Sequence, residues 1–345
     1  MRTFLAGALA LLAAAGLRAE GLRVWGSFHT GALLSVPQNG ETNVKLETDD
    51  GLGLTPARLR IDGGLDREAW GLRFRFMAGL DSDYHVALES SEQFAYAWGA
   101  FFSDRARLYA GRLDGGLWAT PFDEAWSLDA ITGLRVEIKP IDGLSFGCSF
   151  KIPPAGTDEL GKYTFERMLN EAIVGARWDT PWFLLVGAFA FDGWDNYRRD
   201  EQEAVAGLVI KVVPNLWWGI ESRFRNIMTG AMAFNLMEKA GYPFNPFIYG
   251  TIKVYEDGVQ GEEDITVKIN PELSLWLTGR LQPALELECG WHTARADETW
   301  YLGVKPKALY KFSGGMELSG YWMLTYMGGP KELNHSVSIN AACYF

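Results

Sequence analysis

Arginine recurs at every second position in two neighbouring stretches, as Arg58 and Arg60 and again as Arg73 and Arg75. In an extended chain, side chains two residues apart share a face. The four guanidiniums therefore form one wall if the stretches pair, and Arg107 and Arg135 continue it. A polar link follows at 115–130 with the sequence GGLWATPFDEAWSLDA. It carries Asp123, Glu124 and Asp129, with Asp114 just before it. Opposed rows of cations and carboxylates across water do electrostatic rather than covalent work: they set a transverse field, order water and select by charge. The alternative is that the arginines pair with Asp62, Glu137 and one another to fill a narrow interior.

Covalent chemistry has no comparable footing. The histidines His29, His85, His292 and His335 are scattered, without metal-ligand spacing. There is no G-x-S-x-G elbow and no phosphate-cradling loop. A rim catalytic site would need a Ser or Asp beside a His, for example His85 with Ser90 or Asp83. We expect no enzyme, no metal site and no cofactor. Cys148, Cys289 and Cys343 are odd in number and widely spaced, which is not a disulfide framework.

The elements that would hold the arginines are strands. Leu59 and Ile61 alternate with Arg58, Arg60 and Asp62. Leu72, Phe74 and Phe76 alternate with Arg73 and Arg75. Leu134, Val136 and Ile138 alternate with Arg135, Glu137 and Lys139. Leu285, Leu287, Cys289 and Trp291 alternate with Glu286, Glu288 and His292. Each such run has one apolar and one polar wall, and the pattern repeats along the whole chain. Aromatic residues make up 14%, with 14 Trp, as two interfacial girdles would require. The last strand alternates too, with Val337, Ile339, Ala341, Cys343 and the terminal Phe345 on one face. The net charge of −11 argues against nucleic acid as a partner.

Residues 1–19 read as a signal peptide, with Arg2, an apolar run from Phe4 to Leu17 and small residues up to Ala19. Residues 20–345 then form a single domain. Short links at 66–68, 103–105, 140–143, 179–181, 214–215, 281–283 and 313–315 alternate with longer polar ones at 35–54, 81–92, 115–130, 153–166, 193–201, 226–264, 293–298 and 327–332. That spacing predicts an all-β, transmembrane antiparallel barrel of about 16 strands, with 14 or 18 possible. The stretch 226–264 decides between counts. Ile227–Lys239 reads as a short amphipathic helix and Phe247–Tyr255 as a strand; if that strand joins the wall, the count is 18. The runs Phe183–Phe191 and Val205–Val213 are apolar on both faces, which fits either a neighbouring subunit outside or an inward loop covering the lumen side.

With these features the chain resembles the bacterial general porins. The likeness rests on the architecture of the whole mature chain, on the acidic third long loop, where Pro121-Phe122-Asp123 is faintly similar to the family's loop motif, and on the closing aromatic Phe345. The resemblance implies that the third long loop folds into the lumen. Asp114, Asp123, Glu124 and Asp129 would then be the loop side of a constriction, and Arg58, Arg60, Arg73, Arg75, Arg107 and Arg135 the wall side. It further implies an outer-membrane location, Phe345 as the assembly signal, lipid and the barrel-assembly machinery as partners, a possible homotrimer, and passage of small polar solutes or ions. The expected function is a passive channel. The alternatives are a selective transporter for oligosaccharides or fatty acids, a non-conducting surface barrel that binds a partner through its loops, and a secreted β-sandwich. Lys305, Lys307 and Lys311 are expected to pair across strands with Glu286 and Glu288. Glu221, Arg223 and Arg225 read as an internal network, with Trp217 as a lumen platform or a girdle residue.

Overall fold

Alternation alone does not close a sheet; every strand edge must find a partner, since hydrocarbon offers none. The computed structural model describes residues 22–38, 40–46, 57–80, 86–88, 93–114, 132–152, 172–191, 202–227, 231–260, 265–292 and 300–345. The first half of the sheet consists of β1 (Leu22–Val36), β2 (Asn43–Leu46), β3 (Ala57–Asp66), β4 (Trp70–Leu80), β5 (Val86–Leu88), β6 (Phe94–Phe101), β7 (Ala106–Arg112), β8 (Thr132–Ile141), β9 (Leu144–Lys151) and β10 (Ile173–Asp179). The second half consists of β11 (Phe183–Ala190), β12 (Glu203–Ile210), β13 (Trp217–Arg225), β14 (Ala233–Asn245), β15 (Ile248–Val259), β16 (Ile265–Leu275), β17 (Leu281–His292), β18 (Tyr301–Lys311), β19 (Met316–Met327) and β20 (Glu332–Tyr344). All belong to one sheet of 20 strands.

Eighteen of these strands form the wall, each antiparallel to the next. The two short ones only extend it: β2 pairs with the far half of β1, and β5 with the far end of β4. The circuit closes where β1 pairs with β20, from Ser27 opposite Tyr344 to Val36 opposite His335. Barrels of 16–18 strands are wide enough to leave an aqueous lumen.

The count is thus 18 rather than 16, and the difference lies where the sequence was ambiguous. Ile227–Lys239 does not form a helix. Its described part enters β14, which pairs along its length with β13 and β15. Met237, Glu238, Lys239 and Ala240 favour helix as isolated residues, but ladders on both flanks override that preference. The proposed turn at Leu281–Pro283 is also corrected, since all three residues lie in β17 and the turn is 276–280. There the Thr278 hydroxyl accepts hydrogen bonds from the backbone N–H groups of Arg280 and Leu281 at 3.2 and 3.0 Å. The Asp142-Gly143 turn joins β8 and β9 as expected. Gly143 has φ +80, and a Cβ there would meet the Asp179 carbonyl at 2.1 Å.

Outward positions are apolar and exposed, among them Phe28, Leu72, Leu185, Leu285, Leu302 and Ile339. At the short-turn end, Trp70, Trp182, Phe247, Trp276 and Phe312 are exposed and form an aromatic rim. Phe345 exchanges backbone hydrogen bonds with Gly26, at 2.8 Å from the Gly26 N–H and 3.0 Å from its own. Its ring occupies the space where a Gly26 side chain would sit, 2.7 Å from an added Cβ. Residues 1–19, the proposed signal peptide, lie outside the described residues.

Candidate functional site

Directly paired residues in an antiparallel ladder share a face, so the registers assign the lumen lining. Arg58 stands opposite His29, Arg60 opposite Ser27, and Asp62 opposite Arg75. Phe94 faces Arg75 and Tyr96 faces Arg73. Trp98 is opposite Tyr109, Tyr109 opposite Arg135, and Arg107 opposite Glu137. The six arginines read from the sequence therefore lie on one continuous inward wall running from β3 to β8.

Within that wall the arginines are held by acids of the wall itself. The Asp62 carboxylate, almost fully buried, accepts from Arg60 Nε at 2.5 Å and from Arg75 Nε at 2.7 Å. Arg73 bonds Asp66 at 2.5 Å near the rim. Arg107 forms a two-pronged bond to Asp104, one prong of 2.7 Å between Nη2 and Oδ2. Arg135 is buried; it donates to Ser149 Oγ at 3.1 Å and to the Asp114 carbonyl, with the Asp114 carboxylate 3.6 Å from Nη1. Tyr96 donates its hydroxyl to Asp114 at 3.1 Å, and Tyr109 donates to Glu137 at 2.7 Å. Glu137 therefore serves a tyrosine rather than the arginine opposite it. Asp104 lies in the 102–105 turn, outside the spanning strands, and the Arg107 guanidinium holds its carboxyl below the usual carboxylate range.

Asp114 is the one member of the expected acidic set among the described residues; Asp123, Glu124 and Asp129 lie outside them, as do His85, Ser90 and Asp83. The described histidines are not brought together. His29 faces inward against Tyr344 with ring centroids 5.8 Å apart, His292 bonds Thr266 at 2.8 Å, and His335 faces outward, stacked on Trp322.

The sequence reading did not single out the aromatic partners. The Arg75 guanidinium lies over the Phe94 ring at 5.0 Å, Arg107 over Trp98 at 4.8 Å, and Arg135 over Tyr109 at 5.5 Å. Their signal was available: Phe94, Tyr96 and Trp98 alternate with Ala95, Ala97 and Gly99, so the bulky residues mark one face. A cation over a ring is steered and partly desolvated, which leaves these arginines fixed in direction.

A second charged wall spans β16–β19. Lys307 bridges Glu272 and Glu286 at 2.7 and 2.8 Å. Lys305 lies 3.9 Å from Glu286, 3.7 Å from Glu288 and 4.3 Å above the Tyr321 ring. Lys311 pairs with Glu317 at 3.1 Å. The expected cross-strand pairing holds for Lys305 and Lys307, with Glu272 as an added member, whereas Lys311 pairs with Glu317 rather than with Glu286 or Glu288. Arg223 bonds Glu203, and Arg225 bonds Asn235 at 3.3 Å.

Between the two walls the inward face turns apolar. Leu184, Val186, Ala188, Ala190, Val205 and Val209 face the lumen yet are buried, with Trp217 packed against Leu184, Val186 and Val209. Both faces of β11 and most of β12 are apolar, Glu203 at the far end of β12 being the exception, and the inner apolar side chains are buried.

No family model matches the chain, and no curated protein matches it. Solved structures do. OpdQ of Pseudomonas aeruginosa superposes with a TM-score of 0.57 at 9% identity, covering 94% of this chain and 99% of that one. OccAB3 of Acinetobacter baumannii gives 0.54 at 10% identity over 94% and 99%. OmpT, an outer membrane protein of Vibrio cholerae, gives 0.52 at 10% identity over 95% and 99%. Likeness at such identities concerns the fold. Together with the closed wall and its exposed apolar belt, it makes this chain a porin-like outer-membrane β-barrel of 18 strands.

Proposed function

We propose that the protein is a passive channel that admits small hydrophilic solutes and ions across the outer membrane. The observation that carries this is the inward face: an 18-stranded wall lined on two sides by arginine, lysine and carboxylate groups. Polar lining attracts water, and water in a lumen of this width conducts. The guanidiniums sit on rings and carboxylates that fix their direction. A passing solute therefore meets oriented charge rather than mobile side chains, and charge and dipole become the basis of selection. Lipid-like solutes are disfavoured by the same surface.

Planar-bilayer recording of the refolded chain tests this reading. Stepwise ohmic conductance is expected. A silent bilayer from protein that shows the heat-modifiable mobility of a folded barrel refutes it. If the link carrying Asp123 and Glu124 faces the arginine wall, neutralising both acids lowers cation preference; an unchanged preference removes that link from the constriction.

A further inference from the structure

The described inward aromatics of β6 and β7 are all packed. Arg75, Arg107 and Arg135 lie over Phe94, Trp98 and Tyr109, and Tyr96 packs against the rings of Phe94 and Tyr109. Trp25 of β1 belongs to the same wall, since it stands directly opposite Asp62 and so shares the inward face. Its indole is 43% exposed, and among the described residues no ring or cation covers it. An indole left open to water exposes apolar area that burial against a flat ring would remove.

The cations beside this ring are aimed and only partly used. Asp62 takes the Nε of Arg60 and the Nε of Arg75, at 2.5 and 2.7 Å. Arg60 lies two residues farther from the short-turn end on β3, and Arg75 lies one strand beyond Asp62 on β4. Gripping one carboxylate therefore draws both guanidiniums into the row of Trp25. Their terminal Nη groups have no hydrogen-bond partner among the described residues. Arg23, on the same face of β1 and nearer the short-turn end, is exposed and likewise without an acid partner among the described residues. Against these three guanidiniums stand Asp62 and the terminal carboxylate of Phe345, which the Gly26 N–H holds at 2.8 Å. The surroundings of Trp25 are thus net positive.

A ligand for this site needs a flat ring and, within its own length, an anion. Neighbouring strands stand about 4.8 Å apart, so the two forks over Asp62 lie about 5–10 Å from the indole. A carboxylate has two oxygens, and a single guanidinium fork fills it. A phosphate monoester offers three terminal oxygens and about −1.5 to −2 charges at pH 7, so it takes two forks at once. Any nucleobase can stack on an indole, because every base has a π-face. In a nucleoside monophosphate the sugar sets base and phosphate apart by a span of this order. We propose that Trp25, Arg23, Arg60 and Arg75 form a lumen subsite for nucleoside monophosphates, with the base on the indole and the phosphate in the free guanidinium forks. This rests on the channel reading only in that the arginine wall faces water; binding itself needs no conduction.

Equilibrium dialysis of the full-length chain, folded in mild detergent, tests this with adenosine monophosphate, adenosine and inorganic phosphate as separate probes. Adenosine monophosphate is expected to bind at least about tenfold tighter than either of the others. Inorganic phosphate binding equally well leaves an anion site without a ring platform and overturns the proposal. Adenosine binding equally well, or no binding of any probe, overturns it too. Trp25→Ala should weaken adenosine monophosphate about tenfold and leave inorganic phosphate as it was; unchanged affinity for the nucleotide removes the indole from the site. Arg60→Gln, checked for heat-modifiable folding, should weaken the nucleotide and inorganic phosphate together, and unchanged binding of both overturns the assignment of the forks. If that variant does not fold, Arg23→Gln is read in its place by the same criterion. A chain that conducts but binds no nucleotide refutes the subsite alone, and one that binds it in a silent bilayer refutes the channel alone.

Discussion

Asp62 is shared by two lumen-facing guanidiniums, and Asp62→Asn separates their electrostatic role from their structural one. The side chain of Asp62 is 5% exposed, while those of Arg60 and Arg75 are 35% and 24% exposed. Asparagine keeps the size and one acceptor, so the barrel stands. Hydrogen bonds to charged groups are worth about 1.5–3 kcal/mol, and because water reaches both arginines, the stability loss should be about 1–2 kcal/mol. The lumen meanwhile gains one unit of positive charge. At roughly 10 Å in water that charge acts on a monovalent ion with about 0.4 kcal/mol unscreened. A Debye length of about 10 Å at 0.1 M salt reduces it to about 0.15 kcal/mol. Anions gain what cations lose, so the anion-to-cation permeability ratio should rise about fourfold in dilute salt and about 1.7-fold at 0.1 M. The assay is the zero-current potential across a bilayer with a salt gradient, at two ionic strengths. A ratio unchanged from wild type at both strengths, in protein that is folded and conducting, refutes the placement of this wall on the ion path.

Four further outcomes are expected. Lys307→Met leaves Glu272 and Glu286 opposed without their shared cation; with all three groups partly exposed, we expect a loss of about 1–3 kcal/mol in urea-induced unfolding, and an unchanged midpoint removes this bridge from the stability of the wall. Gly143→Val forces a β-branched residue into φ +80 against the Asp179 carbonyl, so the folded fraction on a heat-modifiability gel should drop sharply. Gly26→Val evicts the Phe345 ring from its resting place on β1 and should slow barrel closure during refolding, read as delayed appearance of the folded band. Arg107 holds the Asp104 carboxyl below its ordinary value. The stabilisation is therefore complete above the ordinary carboxylate value and is lost as pH falls through the lower, folded value. Asp104→Asn should flatten the fall in stability in that acid range, and an equally steep fall in the variant excludes this pair as its source.

How much was legible in the sequence follows from what each signal depends on. Period-two alternation is a property of the single strand, so Arg58, Arg60, Arg73 and Arg75 could be placed on one face without a structure. The pairing of Lys305 and Lys307 with Glu286 and Glu288 was similarly local, being a matter of adjacent strands and opposite charge. The number of strands was not local. Ala233–Asn245 has helix-favouring residues, a proline and an outward glutamate, and only ladders from β13 and β15 make it wall. The arginines' partners were not local either: Asp62 serves two strands at once, and Glu137 goes to Tyr109 because the register sets that hydroxyl 2.7 Å away. The burial of Leu184, Val186 and Val209 on the lumen side belongs to the closed barrel alone. Sequence determined which residues share a face, because the chain's own geometry imposes that; tertiary structure decided what each face meets, because closure and register are properties of all eighteen strands together.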